Sequence, residues 1–151
     1  MSSPYPRTIV VVRPARMADA PAIAGLCGQL GYPSLPEQVS ARLGRILPEG
    51  GHAVFVAEAE DGRVCGFAHV FGYHVVESDP RAEVSGLVVD QAHRGQGVGK
   101  RLMQHVEDWA RQQGYAVVSL RSNVVREQAH TFYQGLGYHC HKTQKSFRKE
   151  L

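Results

Sequence analysis

The pattern of hydrophobic and polar positions along the chain predicts alternating strands and helices. Apolar runs rich in β-branched residues favour strands, and apolar residues spaced three or four apart favour amphipathic helices. The predicted strands cover residues 8–13, 53–58, 64–76, 83–90, 116–120 and 138–147. The predicted helices cover residues 20–30, 35–47, 98–112 and 127–136. This order, with helices inserted between strands, predicts a mixed α/β sheet.

Residues with special backbone preferences mark several boundaries. Asp19 is suited to cap the first helix, and Gly31 is suited to end it. The sequence EDGR at 60–63 predicts a hairpin turn between the second and third strands. No repeat, low-complexity segment or linker divides the sequence. A single domain spanning residues 1–151 is therefore predicted.

The segment from residue 84 to residue 100 carries the strongest functional signal. Its sequence, VSGLVVDQAHRGQGVGK, joins a strand to a helix through a loop that contains Gly95, Gly97 and Gly99. Glycines let the backbone approach an anion closely, and the first turn of a helix offers unpaired N–H groups. Arg94 and Lys100 flank the loop and are placed to neutralise phosphate charge. The pattern favours a phosphate-binding loop over a loop in which the glycines only make a tight turn.

Two common phosphate loops fit this segment poorly. A P-loop requires Ser or Thr after Gly-Lys, whereas Lys100 is followed by Arg101. A dinucleotide-binding fold requires G-x-G-x-x-G, and the third glycine here comes one residue early. That fold also requires an acidic residue at the end of the next strand, where this chain has Arg121. A nucleotide- or nucleic-acid-binding α/β protein is therefore a disfavoured alternative.

The loop resembles a motif of the GNAT (GCN5-related) N-acetyltransferase family. Residues 94–99, RGQGVG, are similar to the family's Q/R-x-x-G-x-G/A signature, which holds the pyrophosphate of acetyl-CoA. Residues 129–133, AHTFY, followed by LGY at 136–138, resemble its A-x-x-F/L-Y-x-x-L-G-F/Y pattern. The resemblance implies an α/β, single-domain GNAT-like acyl-CoA N-acyltransferase fold. Its sheet is expected to be mixed and mostly antiparallel, with helices on both faces.

The resemblance implies acetyl-CoA as co-substrate and no metal. In the family, main-chain groups of one strand bond the pantetheine of the cofactor. The family often has an asparagine three residues before Ala129, where this chain has Arg126, and Asn123 lies one turn earlier, so either residue could contact the cofactor. The implied cofactor-binding residues are Leu87, Val88, Val89, Arg94, Gly95, Gln96, Gly97, Val98, Gly99, Lys100, Asn123 and Arg126.

Acyl transfer from a thioester to an amine defines the catalytic groups to look for. The ammonium must lose a proton, the tetrahedral oxyanion needs a donor, and the departing thiolate needs an acid. Glu83, at the start of the predicted central strand, resembles in position the glutamate that some family members use as a base. Tyr133 matches the tyrosine implied to protonate the CoA sulfur, and a phenol is a competent neutral donor. The alternatives are an exposed strand-end glutamate, a half-buried structural tyrosine, and a water chain as the base.

The sequence says less about the acceptor. The resemblance places it between the N-terminal helices and the strand around residues 71–76. A small primary amine, an amino acid derivative and a peptide N-terminus are all candidates. The predicted function is direct acetyl transfer to a primary amine in a ternary complex, with a non-catalytic acyl-CoA-binding module as the alternative. Side chains that could line the acceptor site are Tyr32, Tyr73, His74, Glu77 and Asp79.

Composition narrows the partners and the location. A formal net charge of +3 is too small and too evenly spread to indicate nucleic acid. No apolar run approaches the ~20 residues of a membrane span, and the first residues, MSSPYPR, do not resemble a signal peptide, so a cytoplasmic protein is expected. The three cysteines form no C-x-x-C motif, and only His139 and His141 are closely spaced, so no metal site is expected. A homodimer is plausible because many members of the family pair.

Overall fold

The computed structural model describes residues 9–151, and up to residue 135 its elements follow the predicted order. The strands are β1 (Val10–Pro14), β2 (His52–Ala59), β3 (Val64–Val75), β4 (Ser78–Val89) and β5 (Val118–Leu120). The helices are α1 (Ala20–Leu30), α2 (Pro36–Ile46), α3 (Val98–Gln112) and α4 (Glu127–Gly135). The predicted first strand includes Thr8, which lies outside the described residues. The chain forms two compact units, the first ending at Leu120 and the second covering residues 121–151.

The first unit is built on a five-stranded sheet with strand order β1-β2-β3-β4-β5. The first three pairs of neighbouring strands are antiparallel, and β4 pairs with β5 in parallel. The β2–β3 hairpin turns at Gly62, whose φ of +85° suits glycine. This arrangement confirms the predicted mixed, mostly antiparallel sheet.

Helices cover both faces of this sheet. Successive side chains of a strand point to opposite faces, so two neighbouring residues of β3 show which helices lie on each face. A Cβ on Gly66 of β3 would lie 3.5 Å from Val98 and 3.2 Å from Leu102 of α3. The next residue, Phe67, packs in a buried cluster with residues of α1 and α2. Thus α3 covers one face, and α1 and α2 cover the other.

A partly buried ion pair joins β1 to the start of α1. Arg13 donates through Nη1 and Nη2 to Asp19 at 2.8 and 2.9 Å, and through Nε to Glu58 of β2 at 2.7 Å. The Asp19 carboxylate also accepts the backbone N–H of Arg16 at 2.7 Å. The bonds from Arg13 lower the pKa of Asp19, although burial opposes them. Asp19 stands at the predicted N-cap position of α1, but its side chain makes no capping bond there and pairs with Arg13 instead.

Three parts of the predicted sheet differ from the structure. β4 begins at Ser78, so Glu83 lies within the strand rather than at its start. β5 is shorter than predicted and covers Val118–Leu120. The predicted strand at 138–147 was wrong, since residues 138–151 belong to no helix or strand. That segment is mostly polar and exposed, and pairing it would bury little apolar surface.

The second unit contains α4. The helix follows Arg126 at its N-cap and is followed by Gly137, whose φ is +95°. The backbone N–H of Tyr138 closes the helix end by donating to the carbonyl of Tyr133 at 3.0 Å. Across residues 9–151, no helix is both long and apolar enough to span a bilayer.

Candidate active site

Strand β4 has one edge that is only partly paired. Its parallel pairing with β5 covers residues 82–84. Among the residues that the structure describes, positions 85–89 have no strand neighbour on this edge. This stretch therefore offers main-chain groups to a ligand in the way that a sheet accepts an added strand.

The hydrogen bonding at the end of β4 shows which residues face the open edge. The Asp90 N–H donates to the carbonyl of Cys65 at 2.7 Å, toward β3. The N–H and C=O of one strand residue point the same way, and this direction alternates along the strand. The main chain of Val88 therefore faces β3, while the N–H and C=O groups of Leu87 and Val89 face the open edge.

An extra residue in β4 shifts the register at Ser85. His69 of β3 pairs with Gly86, and Val70 pairs with Val84, so Ser85 is a bulge. The Ser85 hydroxyl bonds to His69, and a Cβ on Gly86 would lie 3.7 Å from a side chain of α1. Both residues therefore point to the face covered by α1 and α2. The bulge lies where β4 parts from β5.

The glycine loop leads from the end of β4 into α3. Gly95 and Gly97 have φ values of +78° and +84°, which other residues rarely adopt, and Gly97 is the N-cap of α3. The Arg101 N–H donates to the Gly97 carbonyl at 3.2 Å, so helical pairing starts there. The N–H groups before it in the first turn have no acceptor within the helix. These amides give the loop the geometry of an anion-binding site.

The side chains around the loop divide between core and surface. Val98 is buried, whereas Gln96 and Gly99 are half-buried. Arg94 is exposed, and its Nε donates to the Val89 carbonyl at 3.1 Å, beside the open edge. Lys100 is exposed in the first turn of α3, where its charge opposes the helix dipole unless an anion lies nearby.

Asp90 fixes the start of the loop to α1. Gln29 donates through Nε2 to Asp90 Oδ1 at 3.0 Å, and its Oε1 accepts the backbone N–H of Gln91 at 2.9 Å. Asp90 Oδ2 lies 3.2 Å from His93 Nδ1. The bond from Gln29, with a smaller contribution from His93, lowers the pKa of Asp90. The sequence pattern predicted Asp90 only as the last residue of the strand at 83–90 and gave no sign of this role.

Glu83 is buried, with 8% of its surface exposed. Ser119 of β5 donates through Oγ to Glu83 Oε1 at 3.4 Å, and Arg81 Nη2 lies 3.9 Å from the same oxygen. On β3 its register partner is Phe71. The carboxylate therefore lies beside the point where β5 pairing ends, and the alternative of an exposed strand-end glutamate is wrong.

A chain of hydrogen bonds that sequence analysis missed crosses three strands on the face covered by α1. Ser85 Oγ lies 2.8 Å from His69 Nδ1, and His69 Nε2 lies 3.0 Å from His52 Nδ1. The two imidazoles stack at 5.2 Å, and Phe71 stacks on His52 at 5.6 Å. Burial, and secondarily the neighbouring His52, lower the pKa of His69 to about 4, so its ring is neutral at pH 7.

The side chains predicted to line the acceptor site on β3 point to different faces. Tyr73 follows Phe71 by two residues and shares its face, and the Arg81 guanidinium lies 4.2 Å above the Tyr73 ring. His74 points to the face of α3, where its Nε2 lies 3.0 Å from the hydroxyl of Tyr115. A Cβ on Gly72, two residues before His74 on the same face, would lie 2.1 Å from that hydroxyl. Tyr73 and His74 therefore do not share one surface.

The other three predicted lining residues lie on exposed parts of the first unit. Tyr32 directly follows α1 and its capping Gly31, and 72% of its surface is exposed. Glu77 and Asp79 flank the first residue of β4 and are exposed as well.

Tyr133 lies on α4 in the second unit. Its ring contacts Phe132 at 5.2 Å and Tyr138 at 6.1 Å, both edge to face. Burial raises the pKa of Tyr133, and the positive charge of Arg126 only partly offsets this. The phenol is therefore protonated at neutral pH and can donate a proton.

The two candidate cofactor contacts in the second unit have different local roles. Asn123 Oδ1 accepts the backbone N–H of Val125 at 3.1 Å, and the Asn123 carbonyl accepts the N–H of Arg126 at 3.0 Å. The same carbonyl lies 2.9 Å from His130 Nε2. Asn123 thus stabilises the turn before α4, while Arg126 is the exposed N-cap residue.

Comparison with known proteins places these features among acetyltransferases. Residues 26–138 match the family model described as "Acetyltransferase (GNAT) family". The chain is 33% identical over 144 residues to an aminoglycoside N(6')-acetyltransferase type 1 from Stenotrophomonas maltophilia, which covers 93% of each protein. It is 30% identical over 120 residues to the enzyme of the same name from Serratia marcescens, covering 77% of this chain and 82% of that protein. The solved structure of aminoglycoside N-acetyltransferase AAC(6')-Iy with CoA superposes with a TM-score of 0.84 at 23% identity, over 99% of this chain and 100% of that one, and confirms the predicted fold.

Proposed function

The chain belongs to the GNAT family of acetyltransferases, and from this premise we propose that it acetylates a primary amine of an aminoglycoside-like amino sugar. It is an N-acetyltransferase that uses acetyl-CoA as co-substrate, so the alternative of a non-catalytic acyl-CoA-binding module is set aside. The observation that supports this acceptor is that two relatives aligned over most of the chain both carry the name aminoglycoside N(6')-acetyltransferase.

In the proposed complex, acetyl-CoA binds mainly through backbone groups of the first unit. The pantetheine lies along the open edge of β4 and bonds to the main chain of Leu87 and Val89. Val88 is not expected to bond the pantetheine, because its main chain faces β3, and its buried side chain packs in the core. The pyrophosphate binds to the N–H groups of residues 95–100 at the start of α3. The exposed side chains of Arg94 and Lys100 then lie close enough to the loop to neutralise the phosphates.

The second unit offers two candidate side chains, Asn123 and Arg126, for binding the cofactor. Asn123 Oδ1 is engaged by the backbone of its own turn. The exposed guanidinium of Arg126 has a permanent charge suited to the phosphates of CoA. Arg126 is therefore the stronger candidate of the two.

The reaction is direct attack of the amine on the thioester. Glu83 is the proposed base, because its buried carboxylate lies beside the point where the thioester enters the gap between β4 and β5. The Leu87 N–H faces the open edge and is the proposed donor to the tetrahedral oxyanion. Tyr133 is the proposed acid for the CoA thiolate, since its raised pKa keeps the phenol protonated.

Two measurements test this proposal. The first is thermal unfolding with acetyl-CoA, CoA, ATP and NAD, in which a ligand at 100 times its Kd adds ~2.7 kcal/mol. Stabilisation by acetyl-CoA and CoA alone is expected, and stabilisation by ATP or NAD instead would contradict the cofactor site. The second is CoA thiol release over a panel of aminoglycosides, diamines, amino acids and a peptide with a free N-terminus. Faster turnover of any other class than of aminoglycosides would overturn the proposed acceptor.

The residue roles need their own variant. Tyr133→Phe keeps the ring contacts with Phe132 and Tyr138 and removes only the hydroxyl. We expect kcat to fall by ~10²-fold, as for loss of a general acid, with little change in the KM for acetyl-CoA. Tyr138→Phe is the matched control and should retain the parent kcat. Equal activity of the two variants would remove Tyr133 from the mechanism.

A further inference from the structure

The chain Ser85–His69–His52 occupies the same face of the sheet as Glu83 and begins where β4 leaves β5. Ser85 is the exposed bulge residue at the start of the open edge, next to the proposed position of the thioester. His69 is half-buried in the middle strand, and His52 is partly exposed at the first residue of β2. The three side chains of this hydrogen-bonded series therefore come from three different strands.

The hydrogen-bond geometry allows the chain to carry a proton. A neutral imidazole has one donor and one acceptor nitrogen, so each His69 nitrogen can hold one of the two bonds in either tautomer. His69 contacts a hydroxyl through one nitrogen and another imidazole through the other, at 2.8 and 3.0 Å. With a pKa lowered to about 4 by burial, His69 does not trap the proton as an imidazolium. His52 of β2 contacts His69 directly, and Glu83 and Arg81 lie on the same face of the neighbouring strand β4.

We propose that Ser85, His69 and His52 form a relay that carries a proton of the acceptor ammonium from the reaction site to solvent. This proposal rests on the proposed function and adds an exit path to it. Ser85 touches the acceptor and is the catalytic member, while His69 and His52 act through it. The attacking nitrogen loses two protons in forming the amide: Ser85 takes the one that the ammonium gives up before attack, and Glu83, two residues earlier on β4, is the base for the second, which leaves the tetrahedral intermediate.

Each transfer along the relay is balanced. The ammonium gives one proton to Ser85 Oγ as the Ser85 hydroxyl proton passes to His69 Nδ1. The Nε2 proton of His69 passes to His52 Nδ1, and the Nε2 proton of His52 passes to water. One proton leaves the ammonium, and both imidazoles end neutral in the opposite tautomer. After the product leaves, the reverse hops between bulk water at His52 and water in the emptied cleft restore the starting tautomers.

A purely structural role for this cluster makes a different prediction. The stack of His52, His69 and Phe71 stabilises the sheet as cross-strand ring contacts do. If stacking were its whole role, substitutions would lower thermal stability, and any loss of rate would not respond to buffer. A relay instead predicts a loss of rate that a diffusible proton carrier restores.

The experiment compares His52→Gln, His69→Gln and the control His105→Gln with the parent enzyme. Glutamine keeps hydrogen-bonding groups but cannot pass a proton between two nitrogens. His105 is a half-buried histidine that also contacts an aromatic ring, Phe55 at 5.8 Å, outside the cluster. The acceptor is kanamycin, or the panel amine that the parent acetylates fastest, and rates are measured at low buffer and then with increasing imidazole.

We expect kcat to fall about tenfold in His69→Gln and somewhat less in His52→Gln, below the 10²–10⁴-fold effect of a dedicated acid or base. The KM for acetyl-CoA should not change, imidazole should restore the rate of His52→Gln, and His105→Gln should match the parent. Parent rates in both cluster variants, or losses that imidazole does not restore, would overturn the relay and leave the proposed function standing. If the parent itself acetylates no amine of the panel, the proposed function fails and the relay fails with it.

Discussion

Strand β4 and the loop after it contain two stretches that present different chemistry to a ligand. From Leu87 to Lys100 the groups available to a ligand are main-chain groups. They lie on an open strand edge, at two left-handed glycines and in the first turn of α3. From residue 81 to residue 85 the groups available to a ligand are side chains, and they contact partners from β3 and β5. Through His69 of β3 these contacts extend to His52 of β2. The bulge at Ser85 separates the two stretches.

With the proposed roles, this difference would let one protein keep its cofactor fixed while its acceptor varies. A backbone site depends on chain shape, so it tolerates most substitutions that preserve the two left-handed glycines. A site of side chains from four strands depends on each residue, and one substitution changes its chemistry. We therefore expect substitutions in the first stretch to change cofactor affinity and those in the second to change turnover.

The largest expected effect is on turnover, from Glu83→Gln. Removing the proposed base should lower kcat by ~10²-fold while leaving the melting shift with acetyl-CoA unchanged. The matched control is Glu58→Gln, a glutamate bonded to an arginine at 2.7 Å, away from the open edge. A parent-like kcat in Glu83→Gln would assign the proton to water or to the histidine chain instead.

The second effect is a dependence of stability on pH that comes from the side-chain stretch. The pKa of His69 is about 4 in the folded state, against ~6.5 when unfolded. Between these values the unfolded state binds more protons, so stability falls as pH falls from 6.5 to 4. The loss is about 2 kcal/mol after allowance for solvent screening.

Urea unfolding at pH 7.5 and pH 4.5 measures that loss. The His69→Gln variant should lose less stability than the parent over the same interval. If the two proteins lose the same amount, His69 is not the group that titrates.

The third effect tests the backbone stretch through two glycines of the same conformation. Gly97 and Gly114 have φ values of +84° and +86°, at opposite ends of α3. Alanine at either position should cost about 1–2 kcal/mol of stability, because a Cβ disfavours this conformation. Only Gly97→Ala should also weaken acetyl-CoA binding, by about tenfold, as measured by calorimetry. Equal affinities in the two variants would contradict binding at the start of α3.

The smallest effect concerns the exposed charges beside the loop. Lys100→Gln should weaken acetyl-CoA binding by about threefold at low ionic strength, and the difference should vanish near 0.5 M salt. Lys149→Gln, at an exposed position in the second unit, is the control. A loss that persists at high salt would indicate a direct hydrogen bond rather than screened attraction.

The sequence predicted the backbone stretch better than the side-chain stretch, for a physical reason. Left-handed turns before a helix favour glycine at fixed spacing, so the roles of Gly95 and Gly97 can be recognised directly in the sequence. The histidine chain depends on strand register. Counting from the hairpin turn, where Glu58 pairs with Val64, would have paired His52 with Val70 and placed His69 on the opposite face. The irregularity at 57/58 instead pairs His52 with Phe71 and so places His69 on the same face, and the bulge at Ser85 brings the Ser85 hydroxyl to His69.

The fold was predictable where apolar periodicity was strong. α3 has the predicted bounds, because its apolar stripe and its N-cap glycine agree. The segment 138–147 alternates weakly and contains mostly polar residues, and a few β-favouring residues were not enough to specify a strand. The roles of Tyr133 and Glu83 came from resemblance and stay predictions.

The open edge of β4 also affects how the protein associates with itself when no cofactor is bound. Unpaired strand edges are templates on which other chains can assemble, and soluble proteins usually cover or disrupt them. A proline within residues 85–89 would protect the edge but would remove a main-chain N–H from the proposed pantetheine site. In the proposed complex acetyl-CoA therefore covers this edge as well as reacting, and we expect bound CoA to reduce self-association of the protein.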